Sequence, residues 1–156
     1  AKNGTVNLKL LDVFKADPFF NQIPPRSTGT NHFNLEWIMR AKKVLDQHTI
    51  NARDIQSTLL ELTADLIVDV IKSSLECEIA ICGGGIKNKH LMKVIHKKLH
   101  TTIHSTSDWG MDPEWIESAG FAYLAKLRMR SERLLLKKST GSKSKVLLGA
   151  VYAPSS

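Results

Sequence analysis

Glu78-Ile79-Ala80-Ile81-Cys82-Gly83-Gly84-Gly85 is the stretch on which the fold turns. A short, mostly apolar and β-prone run over 78–82 meets three glycines without a spacer. That pattern predicts a buried strand entering a tight turn. Asn88 stands where a helix cap is wanted. Leu91, Met92, Ile95 and Leu99 then recur at helical spacing. Residues 101–106 alternate as a second strand. Asp112-Pro113 predicts another helix start, with a carboxylate cap and proline in the first turn. That helix runs to about Arg130 and is rich in small residues (Ala119, Gly120, Ala122, Ala125). A polar loop over 139–145 precedes a predicted final strand over 145–152, and Pro154 ends the fold. Strand, glycine turn, helix, strand, loop and helix in this order predict a parallel α/β arrangement. In such sheets ligands bind beyond the carboxyl ends of the strands.

Upstream the period is helical. Val6, Leu10, Leu11 and Phe14 mark a first helix, which Asp17-Pro18 stops. Residues 21–34 carry Pro24-Pro25, Ser27-Thr28-Gly29 and Asn31, and read as an exposed loop. Asn34 caps a helix to about Asp46, with Trp37, Ile38, Ala41, Val44 and Leu45 on one stripe. Asn51 caps the next. Its face is Ile55, Leu59, Leu62, Leu66 and Val70, widened by Leu60, Ile67 and Ile71, so most of it should be buried.

The chain has 156 residues, 42% hydrophobic and 24% charged. That apolar fraction excludes disorder as the main state. No apolar run approaches the roughly 18–20 residues of a membrane-spanning helix. The first residues lack the apolar segment of a signal peptide, and the absence of an initial Met suggests a piece of something longer. Cys77 and Cys82 make no disulfide framework and read as reduced, half-buried thiols of a cytoplasmic protein. The net charge of +7 arises from 22 Lys and Arg against 15 Asp and Glu. One cluster lies at 93–98 and another at 126–145. Such a balance suits either a solvated face or a polyanionic partner.

Two readings of Gly83-Gly84-Gly85 stand side by side. Glycines let a nucleotide approach the backbone, and the following helix offers free N–H groups. Equally, they can make a bare turn. They fit neither the dinucleotide fingerprint nor the P-loop. The hydroxyls of Ser27 and Thr28 suit a sugar or phosphate, or a plain turn. Asp108, Asp112, Glu114 and Glu117 surround one helix start. Asp112 is explained as a cap and Glu114 as first-turn charge, whereas Glu117 precedes the small-residue face and is less easily dismissed. His96, His100 and His104 lack a carboxylate companion, and His100 lies past the helix end, so no metal site is assigned. Trp109 and Trp115 read as core or interface anchors. No nucleophile elbow is present.

Several pieces go together. They are Asp17-Pro18-Phe19-Phe20, Pro24-Pro25-Arg26-Ser27-Thr28-Gly29 and Phe33-Asn34; Gln56, Thr58-Leu59 and Glu61-Leu62-Thr63-Ala64; Cys82-Gly83-Gly84-Gly85 with Asn88; Trp115, Glu117 and Phe121-Ala122-Tyr123-Leu124-Ala125; and Leu148-Gly149-Ala150-Val151-Tyr152. In this order, along nearly the whole chain, they resemble the C-terminal part of the anhydro-N-acetylmuramic acid kinase family. The resemblance implies the second lobe of an actin/hexokinase/heat-shock-70-like, ribonuclease H-like fold: a mixed sheet flanked by helices, forming a single domain over 1–156. It implies ATP-dependent phosphorylation and hydrolytic ring opening of 1,6-anhydro-N-acetylmuramic acid, in the cytoplasm, during bacterial cell-wall recycling.

Gly83, Gly84, Gly85 and Asn88 carry over as a nucleotide-facing turn. Glu117, Ser27 and Thr28 carry over as candidates for the substrate cleft. The family's phosphate loop and catalytic Asp belong to the first lobe and do not occur here. No catalytic base is therefore assigned, Mg²⁺ contacts are expected mainly from that other lobe, and the chain is expected to be inactive alone. The sequence departs from the family at Thr30 and Asn31, where a basic and an acidic residue are usual, and at Ser118, which replaces Ala. The implied partners are the sugar, ATP and the N-terminal lobe, and the small-residue helix would suit a homodimer. Two other readings remain: a basic nucleic-acid-binding module, though nucleic acid is the less favoured partner, and a non-catalytic interaction domain derived from a kinase lobe.

Overall fold

Four asparagines set the helical frame. The side-chain oxygen of Asn7 accepts the N–H of Leu10 at 3.0 Å, and that of Asn34 the N–H of Trp37 at 3.0 Å. Asn51 does the same for Asp54 at 2.9 Å, and Asn88 for Leu91 at 3.1 Å. Each satisfies an N–H that the first helical turn leaves without a partner. The computed structural model describes residues 1–45, 50–72 and 78–152. Within them the helices are α1 (Leu8–Lys15), α2 (Leu35–Val44), α3 (Ala52–Lys72), α4 (Lys89–Leu99), α5 (Ile116–Met129) and the short α6 (Lys137–Thr140). The expected end of α2 at Asp46, together with Cys77 and Pro154, lies outside the described residues.

α3 is shared by two hydrophobic cores. On one side Leu10, Leu11 and Phe14 of α1 meet Trp37 and Ala41 of α2 and Leu62 of α3. The Phe14 and Trp37 rings stack with centroids 4.4 Å apart. On the other side Ala64 and Val68 of α3 meet Ile95 and Leu99 of α4. Burying one such large side chain contributes roughly 1.5–3 kcal/mol. The predicted stripes hold with two exceptions: Val44 and Val70 are exposed. Both lie near a helix end.

Polar groups fasten the same elements. Thr58 is fully buried, yet its hydroxyl donates to the Asp54 carbonyl at 2.7 Å and accepts the Asn7 N–H at 3.0 Å. Gly4 lies so close to α3 that a Cβ there would collide with the Arg53 carbonyl. Asp65 of α3 pairs with Lys15 of α1 at 2.7 Å and Lys98 of α4 at 2.6 Å, and Lys98 also reaches Glu61 at 2.5 Å. Burial pushes the Asp65 carboxyl up, but its two ammonium partners outweigh that and hold it below its ordinary value. Burial likewise works against the Lys98 charge, and Asp65 and Glu61 more than offset it.

The sheet is smaller than expected. β1 (Ala80–Ile81) and β2 (His104–Ser105) pair in parallel, Ala80 opposite His104 and Ile81 opposite Ser105. α4 is the crossover between them, so the predicted strand–helix–strand unit is present. The predicted strands 78–82 and 101–106 shrink to two paired residues each, half-buried rather than buried. The predicted strand over 145–152 does not form. Val146 makes only an isolated antiparallel bridge with Leu134, through N–H···O bonds of 3.0 and 2.9 Å. A strand is as long as the neighbour that takes up its N–H and C=O groups. The described residues therefore form an α/β arrangement with a two-stranded parallel sheet, and the expected mixed sheet is absent among them.

Asp112 also departs from expectation. Its carboxylate accepts the Glu114 N–H at 2.8 Å, but this closes a separate turn. α5 begins at Ile116, and no side chain caps it. The Pro113 carbonyl, which a helix starting there would use internally, instead accepts the Gly83 N–H at 2.9 Å.

Candidate functional site

The corner after β1 is built from backbone. Gly83 has φ +81° and ψ 175°, a conformation open essentially to glycine alone. Its N–H is committed to Pro113. Gly84 and Gly85 open a 3-10 turn (Gly84–Lys87) and neither has a positive φ. A Cβ on Gly83, Gly84 or Gly85 would meet no atom within 4 Å. The corner is thus not plugged by the chain's own side chains. Glycine in a helical turn costs about 0.5–1 kcal/mol relative to alanine. For Gly83 the backbone requires it. For Gly84 and Gly85 neither backbone nor neighbours do.

The Asn88 side-chain oxygen is engaged in capping α4, which leaves its amide N–H groups free of that task. Lys87 and Glu114 form an ion pair of 2.6 Å, so the glycine turn is tied twice to the segment before α5. Glu117 is exposed in the first turn of α5. Cys82 lies one residue past the last paired position of β1. Its thiol is exposed, which corrects the expectation of a half-buried one.

Ser27 and Thr28 are exposed in the proline-rich loop, and no hydrogen bond joins them to the glycine turn among the described residues. What organises this loop was not legible locally. Arg26 Nη1 donates to the carbonyls of Phe19, Phe20 and Gln22 at 3.1, 2.6 and 3.3 Å, and its guanidinium lies over the Phe19 ring. At the loop's far end His32 Nε2 lies 3.0 Å from Asp17 Oδ2, which also accepts the Trp37 indole N–H at 2.8 Å. Burial raises the Asp17 carboxyl, but His32, the Phe19 N–H and the Trp37 N–H together bring it below its ordinary value. The pairing of Asp17 with a residue fifteen positions later has no signature in sequence spacing. Ser27 and Thr28 are therefore displayed on a loop pinned at both ends.

α5 is covered on little of its surface. Leu127 alone in it is buried, while Phe121 is 73% exposed and Tyr123 58%. A groove of about 330 Å³ runs between α5 and the segment 148–151, lined by Phe121, Leu124, Met129, Leu148 and Val151 among others. Trp109 and Trp115 are exposed, so neither is a core anchor within this chain. The His104 and Trp109 rings stack at 5.8 Å. Among the described residues no three His, Cys, Asp or Glu side chains converge as a metal site. Among them, too, no helix is long and apolar enough to cross a membrane.

The family model described as anhydro-N-acetylmuramic acid kinase matches residues 1–154. Proteins named anhydro-N-acetylmuramic acid kinase are similar over 97% of this chain. That of Pasteurella multocida (strain Pm70) is 41% identical, with 41% of its length covered. That of Sulfurimonas denitrificans is 37% identical, with 43% covered, and that of Coxiella burnetii (strain Dugway 5J108-111) is 38% identical, with 41% covered. The chain spans about two fifths of the length of the curated relatives it matches. With the glycine turn, the Ser-Thr-Gly loop and the small-residue helix all falling inside a match of this extent, the chain belongs to the anhydro-N-acetylmuramic acid kinase family.

Proposed function

We propose that this chain is the nucleotide-facing second lobe of a two-lobe, actin/hexokinase-like sugar kinase. The whole enzyme would phosphorylate 1,6-anhydro-N-acetylmuramic acid with ATP and open its anhydro ring hydrolytically. The reaction belongs to the cytoplasm, where ATP is at hand, and to the recycling of cell-wall sugar. Water adds to the anomeric carbon and the anhydro C–O bond breaks. The freed oxygen takes the γ-phosphoryl group, leaving ADP and N-acetylmuramic acid 6-phosphate. A base supplied by the other lobe accepts the water proton.

In this reading Gly84 and Gly85 leave room for the nucleotide beside the backbone, with Gly83 and Asn88 shaping the turn. Glu117, Ser27 and Thr28 are candidates for the sugar side of the cleft. The observation that carries it is the unexplained glycine at 84 and 85, facing open space in a chain of this family. The bare face of α5 supports the same reading, because a two-lobe enzyme supplies an apolar surface to cover it. A homodimer contact there is the competing occupant.

The test is nucleotide binding and turnover. The purified chain should gain a modest melting-temperature rise from ATP-Mg²⁺ by mass action and show no turnover. A Gly84→Val change should remove the rise. Adding the segment that precedes the matching region in the family should create turnover and quench the exposed tryptophans. Substantial turnover by the chain alone, or no effect of Gly84→Val on nucleotide binding, would refute the assignment.

A further inference from the structure

The cations of α4 divide into two sets. Lys98 is neutralised by Glu61 and Asp65, and Lys87, just before the helix, by Glu114. Lys89, Lys93 and Lys97 are exposed and make no ion pair among the described residues. They stand at four-residue steps, hence on one stripe, about 6 Å apart along the axis and about 12 Å end to end. Like charges at this spacing repel, by a few tenths of a kcal/mol per pair. α4 contains no Asp or Glu to relieve them. A face kept only for solubility would intersperse the two signs.

These lysines also line a groove rather than a flat surface. It holds about 490 Å³ and is bounded by Lys2, Lys89, His90, Lys93, Val94 and Lys97. That volume lies in the range of small-ligand sites. Its wall offers ammonium groups in a row, an imidazole and one aliphatic patch. It offers no Phe, Tyr or Trp ring, the broad faces on which single-stranded nucleic acid sites stack successive bases, and its single imidazole, His90, is half-buried. Ammonium groups bind phosphate oxygens as point charges without regard to what the phosphates are attached to.

We propose that this groove is a binding site for a linear oligophosphate anion, three phosphates or more in length. Lys89, Lys93 and Lys97 neutralise it along its length, and Lys2 and His90 close the sides. Its lining includes none of Gly83, Gly84, Gly85 or Asn88, although Lys89 follows Asn88 directly, and the proposal stands whether or not the kinase reading does.

Inorganic tripolyphosphate is the probe, titrated calorimetrically into the purified protein at several salt concentrations. Saturable binding is expected, weakening with salt at a log–log slope of about −2 for three lysine contacts. A K89Q/K93Q/K97Q variant should lose about tenfold or more in affinity. Its circular dichroism and melting temperature should stay near those of the parent, since all three side chains are exposed. Gly84→Val should leave tripolyphosphate binding unchanged. The proposal is overturned by absence of saturable binding, by binding that the triple variant retains, or by binding that Gly84→Val abolishes. A thymidine oligonucleotide of equal charge that binds more tightly than tripolyphosphate would overturn it in favour of nucleic acid.

Discussion

Residues before and after about position 103 use their apolar side chains in opposite ways. Of the twelve buried hydrophobic side chains among the described residues, eleven lie in the first region and Leu127 alone in the second. Yet the second region is not poorer in apolar residues. Trp109, Trp115, Phe121, Tyr123, Met129, Val151 and Tyr152 are all more than half exposed. The first region packs α1 and α4 on α3 and α2 on α1, and most of each apolar stripe is covered within the chain, although Leu8, Leu35, Met39, Val44 and Val70 are more than half exposed. The second presents a helix and an extended tail with no extensive partner. An exposed apolar surface of this kind marks an interface. The first region thus carries a core of its own, and the second leaves most of its large apolar side chains uncovered among the described residues.

The comparison can be broken most directly by equal truncations. Phe14→Ala removes a ring that is 1% exposed and stacked on Trp37. It should lower unfolding free energy by about 3–5 kcal/mol in urea. Phe121→Ala removes the same ring at 73% exposure and should change it by less than about 0.5 kcal/mol. If the two variants lose similar amounts, α5 is packed in solution and the contrast between the regions fails. If the rest of the family's chain is supplied and only then Phe121→Ala becomes costly, the face is identified as the seat of that segment.

The ion-pair clasp sharpens the contrast at intermediate scale, because it lies wholly in the first region. Asp65 and Asp17 are held below the ordinary carboxylate value of 3.8. Their contribution is therefore complete above that value and disappears as pH falls through it toward the lower folded values. Lys98 is held above its ordinary 10.5, so its contribution is complete below that and disappears as pH rises through the higher folded value. Unfolding followed at α1–α4 should show a plateau between these limits. Asp65→Asn should cost about 1–3 kcal/mol at neutral pH and shallow the acid limb. An unchanged acid limb in Asp65→Asn would show that the clasp does not join the two cores. Probes in the second region, such as Trp115 fluorescence, should not follow that limb separately from global unfolding.

Local chemistry was legible, and tertiary partners were not. Three of the four asparagine caps, Asn34, Asn51 and Asn88, and the helical periods of α1 to α4 could be read because a cap and its N–H donor lie three residues apart, whereas the cap at Asn7 was not read. The glycine turn was visible for the same reason. Strand length was not, since it is set by the neighbouring strand: residues 145–152 form an apolar run that suits a strand but find a partner only at Leu134. The start of α5 was misplaced because the Pro113 carbonyl is drawn to Gly83, thirty residues back. Arg26 gathers three carbonyls and Asp17 holds His32 and Trp37 by contacts that only the folded loop creates. Of the candidate site, the residues could be named, but not which of them the chain ties together.

Within the glycine turn two neighbours should respond with opposite sign. Gly83→Ala forces a Cβ into φ +81°, ψ 175°, and should destabilise by about 1–3 kcal/mol. Gly84 has no positive φ and nothing within 4 Å of a Cβ. Gly84→Ala should therefore stabilise by about 0.4–1 kcal/mol, through the reduced freedom of the unfolded chain. Equilibrium denaturation of the pair reads both. A gain from Gly84→Ala would mean that glycine at 84 is kept against the interest of stability, which a structural turn does not require and a ligand pressed against the backbone does. A loss would return that glycine to the fold and remove the observation on which the nucleotide reading stands.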